Sequence, residues 1–281
     1  MREISCDQII VTVKDLFLRA NYDIGDDILA GLRSGLEKEE SDTGKAIIQQ
    51  IISNNKIAST ERIAICQDTG MAILFVKLGQ EVQITGGNFN EAVNEGVRQA
   101  YVGGYLRKSV VNEPLFERKN TQDNTPAIVY VEIVPGDKIC FEVTAKGFGS
   151  ENMSSLAMLT PADGVEGVKK FVVDTVKKAG PNPCPPVIVG VGIGGSIDKA
   201  AQIAKKATLR KLGSPHQDDR YGLLEQEILA EINKLGIGPG GLGGRTTALA
   251  VHIEFHPAHI ASLPVAVNIC CHAARHAAQE I

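Results

Sequence analysis

The chain has 281 residues, of which 43% are hydrophobic and 22% charged, and its formal net charge is −4. These values are typical of a globular protein and exclude a disordered or fibrous chain, and the mildly acidic balance gives no support to binding of nucleic acid or of a membrane surface. No run approaches the ~18 apolar residues of a membrane-spanning helix, and the apolar stretch near the N-terminus is too short for a signal peptide. We therefore expect a cytoplasmic protein.

The first half of the chain is predicted to contain both helices and strands. Apolar residues have helical spacing in the first ~60 residues, and two apolar runs at 62–66 and 71–78 predict strands on either side of the sequence CQDTG. Residues 90–101 are predicted to form a helix that ends at a Gly pair. AIVYVEIV and KICFEVTAKG, separated by Pro-Gly-Asp, predict a β-hairpin.

The second half is predicted to alternate in the same way. Helices are predicted over residues 150–159, 164–178, 197–212 and 221–235. Strands are predicted for PVIVGVGIGG, TALAVHIEFH and LPVAVNICC. Two segments rich in Gly or Pro are expected to be irregular, GPNPCPP and GIGPGGLGGRT. His252, Glu254 and His256 are expected on the outward face of their strand. The sum is a mixed α/β or α+β fold with mixed or antiparallel sheets flanked by helices. We expect one large domain, because no linker divides the chain.

Six cysteines are spread along the chain: Cys6, Cys66, Cys140, Cys184, Cys270 and Cys271. Without a secretory signal they are expected to be reduced, and each taken alone is most simply a core residue. Cys66, Cys184 and Cys271 nevertheless fall at strand ends or rigid turns. Their separations are too long for a local metal knuckle, so a shared site must be assembled by the tertiary fold. Core residue, nucleophile and metal ligand all stay open on this basis.

The motifs around these three cysteines resemble a known family. CQDTG, NPCPPVIVGVGIGG and VNICCH resemble the three cluster motifs of the iron–sulfur-dependent (class I) fumarate hydratase and tartrate dehydratase family. NTQDNTPA, AKGFGSENMS, GPGGLGG and EFHPAHIA match further blocks of that family in the same order. The resemblance runs from about Cys66 to the C-terminus. It implies that residues 1–281 form the cluster-binding domain of an α subunit, which works with a separate β subunit.

The resemblance also implies a cofactor and a reaction. Cys66, Cys184 and Cys271 would hold a 4Fe–4S cluster with one open iron, which acts as a Lewis acid. The implied activity is that of a hydro-lyase interconverting fumarate and L-malate, with dehydration of L(+)-tartrate as the alternative. A dianionic substrate needs several cations, and the motifs supply only Arg107 and Lys146. The remaining positive charge is therefore expected from the β subunit, bound through an apolar patch near the cluster.

Individual roles follow from the same resemblance. Asp68 and His259 correspond to catalytic residues, and Gln67, Arg107 and Gly149 correspond to residues that bind substrate. Judged by residue type alone, Asp68 is more simply a turn-forming residue and His259 a structural histidine.

The assignment of ligands among the cysteines follows the motif. Cys271 is preferred over Cys270 as the ligand because the family ligand directly precedes a polar turn. Because neighbouring residues on an extended run point to opposite faces, only one of the two is expected to face the cluster. Cys270 is then a core thiol, and a packing role is also expected for Cys140. Cys6 lies outside the resemblance.

Three alternatives compete with this interpretation. Residues 190–195 satisfy the dinucleotide-binding pattern G-x-G-x-x-G, but the acidic residue expected ~20 positions later is represented only by Asp218 and Asp219. His252, His256 and His259 suggest zinc, yet Glu254 is one place off the H-E-x-x-H pattern. A scaffold or regulatory subunit without activity is the third alternative. Bound NAD would favour the first alternative. Protein that is purified anaerobically and contains no iron would favour the third.

Overall fold

The computed structural model describes all residues 1–281. Eight α-helices are formed: α1 (Cys6–Tyr22), α2 (Asp26–Lys38), α3 (Asp42–Glu61), α4 (Phe89–Gly103), α5 (Phe148–Glu151), α6 (Gly164–Ala179), α7 (Ile197–Ala207) and α8 (Asp219–Asn233). Ten strands are formed: β1 (Arg2–Ser5), β2 (Met71–Gly79), β3 (Val82–Thr85), β4 (Ile128–Val134), β5 (Ile139–Lys146), β6 (Ser155–Leu159), β7 (Val187–Gly194), β8 (Ala248–His256), β9 (Leu263–Cys270) and β10 (His276–Glu280). None of the helices combines the length and the apolar composition needed to cross a bilayer.

The expected mixed α/β class, with sheets flanked by helices, is confirmed. Contacts along the chain define two compact units, each built from segments distant in sequence. Unit 1 comprises Met1–Gly25, Asn55–Phe148 and Arg275–Ile281, and unit 2 comprises Asp26–Asn54 and Gly149–Ala274. The chain passes from one unit to the other four times, so neither unit is one continuous stretch of sequence.

Unit 1 contains a four-stranded sheet in the order β10-β5-β2-β4. Strand β4 is parallel to β2, whereas β5 is antiparallel to both β2 and β10. Helices α1 and α4 contact each other, and α1 packs against the sheet. Gly96 makes the contact between the helices possible, because a Cβ there would stand 2.8 Å from the Ile10 carbonyl oxygen. This packing forms the core of the unit.

The predicted hairpin between β4 and β5 is wrong. Both strands exist, but β2 lies between them and pairs with each. The Pro-Gly-Asp turn bends around the end of β2, where the backbone N–H of Gly79 donates to the Lys138 carbonyl (2.8 Å) and that of Gln80 donates to the Val134 carbonyl (2.9 Å). Alternation of side chains predicts a strand, but it does not predict which strand lies next to it.

Unit 2 contains a four-stranded sheet in the order β6-β9-β7-β8, with β7 parallel to β8 and antiparallel to β9. Helix α7 packs closely on β7. A Cβ on Gly190 or Gly192 would stand 2.1 Å from a backbone carbonyl oxygen of α7, that of Ala204 or Ala200 respectively. The glycines of the dinucleotide-like pattern therefore allow α7 to approach the strand, which accounts for them without a nucleotide.

Three other predicted elements differ from the structure. Residues 150–159 are not a helix, because α5 ends at Glu151 and β6 follows and pairs with β9. Residues 62–66 do not form a strand, so Cys66 lies in an irregular segment before the turn. The helix expected over 197–212 ends at Ala207. The short strands β1, β3 and β10 were not predicted.

His252 does not lie on an outward face. Its side chain is buried, and its Nδ1 lies 3.2 Å from the Ala207 carbonyl oxygen. The alternative of a zinc site formed by His252, His256 and His259 gains no support, because His252 is buried beside the Ala207 carbonyl whereas His256 and His259 are exposed.

Candidate active site

The CQDTG turn of unit 1 is fixed by two buried side chains from other elements. The hydroxyl of Tyr101, on α4, donates to the carbonyl oxygens of Thr69 (2.8 Å) and Gly70 (3.2 Å). The side-chain amide of Asn124 donates to the same Gly70 carbonyl (3.1 Å). Burial raises the pKa of Tyr101, although the charge of Arg275 opposes the shift, so the hydroxyl stays a hydrogen-bond donor at neutral pH. The backbone of the turn is therefore held at its carbonyl groups.

Glycine is required at the end of this turn. Gly70 has φ +73°, a left-handed conformation that side chains disfavour. A Cβ at this position would stand 2.6 Å from the carbonyl carbons of Ala145 and Lys146. The turn can therefore lie directly against β5 only because residue 70 has no side chain.

Asp68 has both carboxylate oxygens bonded to backbone. Its Oδ1 accepts from the N–H of Gly70 (3.0 Å) and its Oδ2 accepts from the N–H of Phe148 (2.9 Å). The turn-forming role expected from residue type is thus present. A carboxylate has about four lone-pair positions, so these two bonds leave acceptor sites for a ligand or a proton. Gln67, directly before it, is exposed.

Three cations of unit 1 have backbone or side-chain contacts next to the CQDTG turn: Arg107, Lys146 and one that sequence analysis missed. Arg107 is exposed, and its carbonyl accepts from the Thr69 hydroxyl (3.1 Å), so its backbone lies beside the turn. Lys146 is buried, and its Nζ donates to the Gly147 carbonyl (3.2 Å). Arg275 is only 2% exposed, and its Nε donates to the Ala145 carbonyl (3.1 Å).

Arg275 lies close to Asp68. A Cβ on Gly147 would stand 2.7 Å from Nη2 of Arg275 and 3.1 Å from Oδ2 of Asp68, so the guanidinium and the carboxylate flank the same point. The signal available in the sequence was the position of this cation, four residues after Cys271. The positive charge near the turn is therefore larger than the motifs predicted.

In unit 2, Cys184 and Cys271 belong to neighbouring backbone segments. Cys184 is exposed and has φ +55°, which is unusual for a residue with a side chain. Its carbonyl accepts from the N–H of His272 (3.4 Å), which follows Cys271. Cys270 is 7% exposed and ends β9, whereas Cys271 is half-buried. This difference agrees with the expectation that the two neighbours point to opposite faces.

Gly149 lies beside the turn that carries Cys184. A Cβ on Gly149 would meet only the Asn182 carbonyl oxygen, at 3.8 Å, and the residue is exposed. Its backbone is therefore open to close approach by another molecule.

His259 lies at the other end of the sheet. It is exposed in the loop between β8 and β9, and the N–H of Ala261 donates to its Nδ1 (3.2 Å), so the neutral ring carries its proton on Nε2. Strand β9 has 8 residues and spans ~23 Å at ~3.3 Å per residue. Cys271 follows the far end of that strand. Unit 2 therefore does not bring His259 next to Cys184 or Cys271.

The cysteines supply the donor type that an iron–sulfur cluster requires. None of the six is in a disulfide, and cysteine thiolates are the usual cluster ligands. Cys184 and Cys271 are accessible, they lie outside regular elements, and a backbone hydrogen bond joins their segments. The donor type of this pair fits the implied group, but the structure does not gather three or more His, Cys, Asp or Glu side chains into a group that could hold a metal ion.

A Gly-rich loop, defined as residues 238–244, is anchored by the buried Glu39. This carboxylate is 2% exposed and accepts backbone N–H bonds at its own helix end, from Glu40 and Ser41 (both 3.0 Å). It also accepts from Arg245 (3.0 and 3.1 Å to its two oxygens) and Thr246 (2.7 Å), directly after the loop. Burial alone would raise the pKa of Glu39, but these N–H groups outweigh it and lower the pKa from 4.5 to about 2.

This shift predicts an acid-dependent loss of stability. A pKa that is lower in the folded than in the unfolded chain stabilises the fold above pH 4.5, and the contribution is lost as the pH falls towards 2. The difference between the two pKa values corresponds to about 3 kcal/mol of folding free energy. We expect Glu39→Gln to destabilise the protein at pH 7 and to have a smaller effect at pH ~3, measured by urea unfolding at each pH. An equal loss of stability at both values would contradict the assignment.

The chain is similar to known proteins over most of its length. Residues 10–280 match the family model described as fumarate hydratase (Fumerase). The chain is 43% identical over 274 residues to a putative L(+)-tartrate dehydratase subunit alpha of Methanocaldococcus jannaschii, covering 96% of each chain. It is 35% identical over 254 residues to the L(+)-tartrate dehydratase subunit alpha of Escherichia coli (strain K12), covering 89% of this chain and 83% of the relative. The chain belongs to the fumarate hydratase family and is a hydro-lyase.

Proposed function

We propose that the chain is the cluster-bearing α subunit of a cytoplasmic hydro-lyase that interconverts fumarate and L-malate. The observation that carries the proposal is the fixed CQDTG turn, which presents exposed Gln67 beside Asp68 within the family match. Dehydration of L(+)-tartrate is the second candidate, favoured by the names of the two relatives. Both substrates are small dicarboxylates, so the same cations suit either one.

We propose Cys66, Cys184 and Cys271 as the ligands of a 4Fe–4S cluster. When bound, such a cluster supplies one iron without a protein ligand, which acts as a Lewis acid towards a substrate hydroxyl. The solvent accessibility of Cys184 and Cys271, on segments joined by a backbone hydrogen bond, supports these two members of the ligand set.

The chain's own residues then have separate tasks. Asp68 carries a proton to or from the substrate, since a positioned carboxylate is a suitable general acid or base. Arg107 binds a substrate carboxylate, Gln67 donates a hydrogen bond to it, and Gly149 allows its close approach. The buried Arg275 stabilises negative charge that develops next to Asp68.

His259 requires a different arrangement. It lies in the loop before β9, and the ~23 Å length of that strand separates this loop from Cys271, so we propose that it does not meet a substrate bound at the cysteines of unit 2. We propose that it serves a site formed with another polypeptide. Ile260, directly after it, is 91% exposed, which supports a surface that a partner covers.

We predict that the chain alone is nearly inactive and that a β subunit restores turnover. The relatives are named as α subunits, and a dianionic substrate needs several cations, of which the proposed site of this chain supplies only Arg107, Lys146 and Arg275. The chain should be reconstituted anaerobically and assayed with fumarate and with L(+)-tartrate, with and without a co-expressed β subunit. Activity of the lone chain equal to that of the complex would contradict the two-subunit proposal, and the faster of the two reactions identifies the substrate.

A further inference from the structure

We propose that Glu39 is a positioning residue for Cys184 and acts through the Gly-rich loop. The inference rests on the proposed function, because it takes Cys184 as a cluster ligand. Neither the family resemblance nor the motifs assign a role to Glu39, which lies between α2 and α3, far from Cys184 in the sequence. All the contacts that connect the two residues lie within unit 2.

The first step is contact between the Gly-rich loop and the cysteine turn, which we define as residues 181–186. The N–H of Gly240 donates to the Pro185 carbonyl (2.8 Å), next to Cys184. A Cβ on Gly241 would stand 2.2 Å from Cβ of Pro181, so the loop backbone lies directly against the other end of the turn. The loop therefore supports the cysteine turn on both sides of Cys184.

The second step is that the cysteine turn needs this support. Cys184 has φ +55°, and a residue with a side chain keeps such a conformation only when its surroundings hold it. Within the turn, the N–H of Cys184 donates to the Pro181 carbonyl (3.1 Å). Proline N atoms cannot donate, so the turn has few backbone bonds of its own, and the bond from Gly240 matters correspondingly more.

The third step is that Glu39 fixes the end of the loop. Its two oxygens accept the N–H groups of Arg245 and Thr246, and a Cβ on Gly244 would stand 2.6 Å from its Oε1. Both oxygens act as acceptors, so an amide in the place of the carboxylate would turn an N–H donor towards other N–H donors. Loss of the carboxylate should therefore release the loop, and with it the cysteine turn.

The experiment uses two variants that weaken the support at different points and a matched control for each. Glu39→Gln removes the anchor, and Gly241→Ala pushes the loop away from Pro181. Gly243→Ala is the control for the second, because Gly243 has a similar left-handed φ of +88° but a Cβ there would meet nothing within 4 Å. Glu113→Gln is the control for the first, because Glu113 accepts three backbone N–H bonds in an exposed loop of unit 1.

Two readouts are independent of turnover. Hydrogen–deuterium exchange of the full chain without iron reports protection of the peptides that contain Cys184 and Gly240. Iron and sulfide content after anaerobic reconstitution reports ligation. We expect Glu39→Gln and Gly241→Ala to lose protection at these peptides and to retain much less iron than wild type, while both controls keep wild-type values.

The outcomes separate this inference from the proposed function. Wild-type protection in both test variants, or lost protection with full iron content, would overturn the positioning role. Loss of iron in Gly243→Ala as large as in Gly241→Ala would also overturn it, since backbone strain alone would then be the cause. Full iron content in Cys184→Ser would instead remove Cys184 from the ligand set, and the exchange data would still report whether Glu39 holds the turn.

Discussion

Replacement of Cys66, Cys184 or Cys271 by serine is expected to remove most of the iron and sulfide that the chain binds on anaerobic reconstitution. Three thiolates are the minimum for a cluster with one open iron, and a serine hydroxyl is a much poorer ligand than a thiolate. Accessible thiols at Cys184 and Cys271, on segments joined by a backbone hydrogen bond, support the assignment.

The chain contains its own controls for this experiment. Cys6 is buried in the core of unit 1 and Cys140 lies within β5, so Cys6→Ser and Cys140→Ser should retain wild-type iron content. Cys270→Ser is a stricter control because it differs from Cys271→Ser by one position, and Cys270 is buried at the end of β9. Full iron content in any of the three test variants would remove that residue from the ligand set.

The second large effect is expected for Asp68→Asn, which should lower turnover of the complete enzyme by ~10²–10⁴-fold, the usual contribution of a proton-transfer residue. The iron content should stay at its wild-type level. The asparagine oxygen can still accept one of the two backbone bonds of Asp68, so a moderate loss of stability is also expected. Kinetics and thermal unfolding of the reconstituted complex separate the two effects.

Asp163→Asn is the matched control for this variant. Asp163 also fixes a turn through its carboxylate, which accepts from the N–H and the hydroxyl of Thr160 (both 2.7 Å), but it is exposed and lies in unit 2. It should show the loss of stability without the loss of turnover. Near wild-type rates for Asp68→Asn would leave Asp68 with its turn-forming role only.

His259→Asn is also expected to lower turnover while the iron is retained. The reason differs from that for Asp68, because we propose that His259 serves a site shared between polypeptides. If His259 of one copy completes the site of another, a mixture of Asp68→Asn and His259→Asn complexes should regain activity, because one kind of site in the mixed assembly has both residues intact. No recovery would exclude sharing between copies of this chain. Unchanged turnover in His259→Asn alone would return the residue to a structural role.

The secondary-structure elements predicted from the sequence match the structure where the sequence signal is local. Glycine and proline boundaries and apolar periodicity placed α4, α6, β2 and β7 close to their observed ends. The helix predicted over residues 150–159 is wrong because β6 is stabilised by pairing with β9, more than 100 positions later in the sequence. The hairpin of β4 and β5 failed for the same reason, since β2 enters between two strands that the local turn signal joins.

The candidate site shows a similar limit. Motifs identified Asp68 and Cys184, but they did not reveal that Asp68 is bonded by two backbone N–H groups or that Cys184 has a left-handed backbone. They also grouped His259 with the cysteines, although the direction of β9 separates them. Arg275 and Glu39 were missed because their importance depends on contacts between distant segments, and no pattern around them predicts those contacts.

The most direct test of the central claim is the Mössbauer spectrum of the complete enzyme, reconstituted anaerobically with iron and sulfide and recorded with and without fumarate. An open iron that binds substrate predicts four irons per chain, of which a single one changes its signal when fumarate is added. A protein that reconstitutes without iron, or a spectrum that fumarate leaves unchanged while the enzyme turns over, would contradict the account.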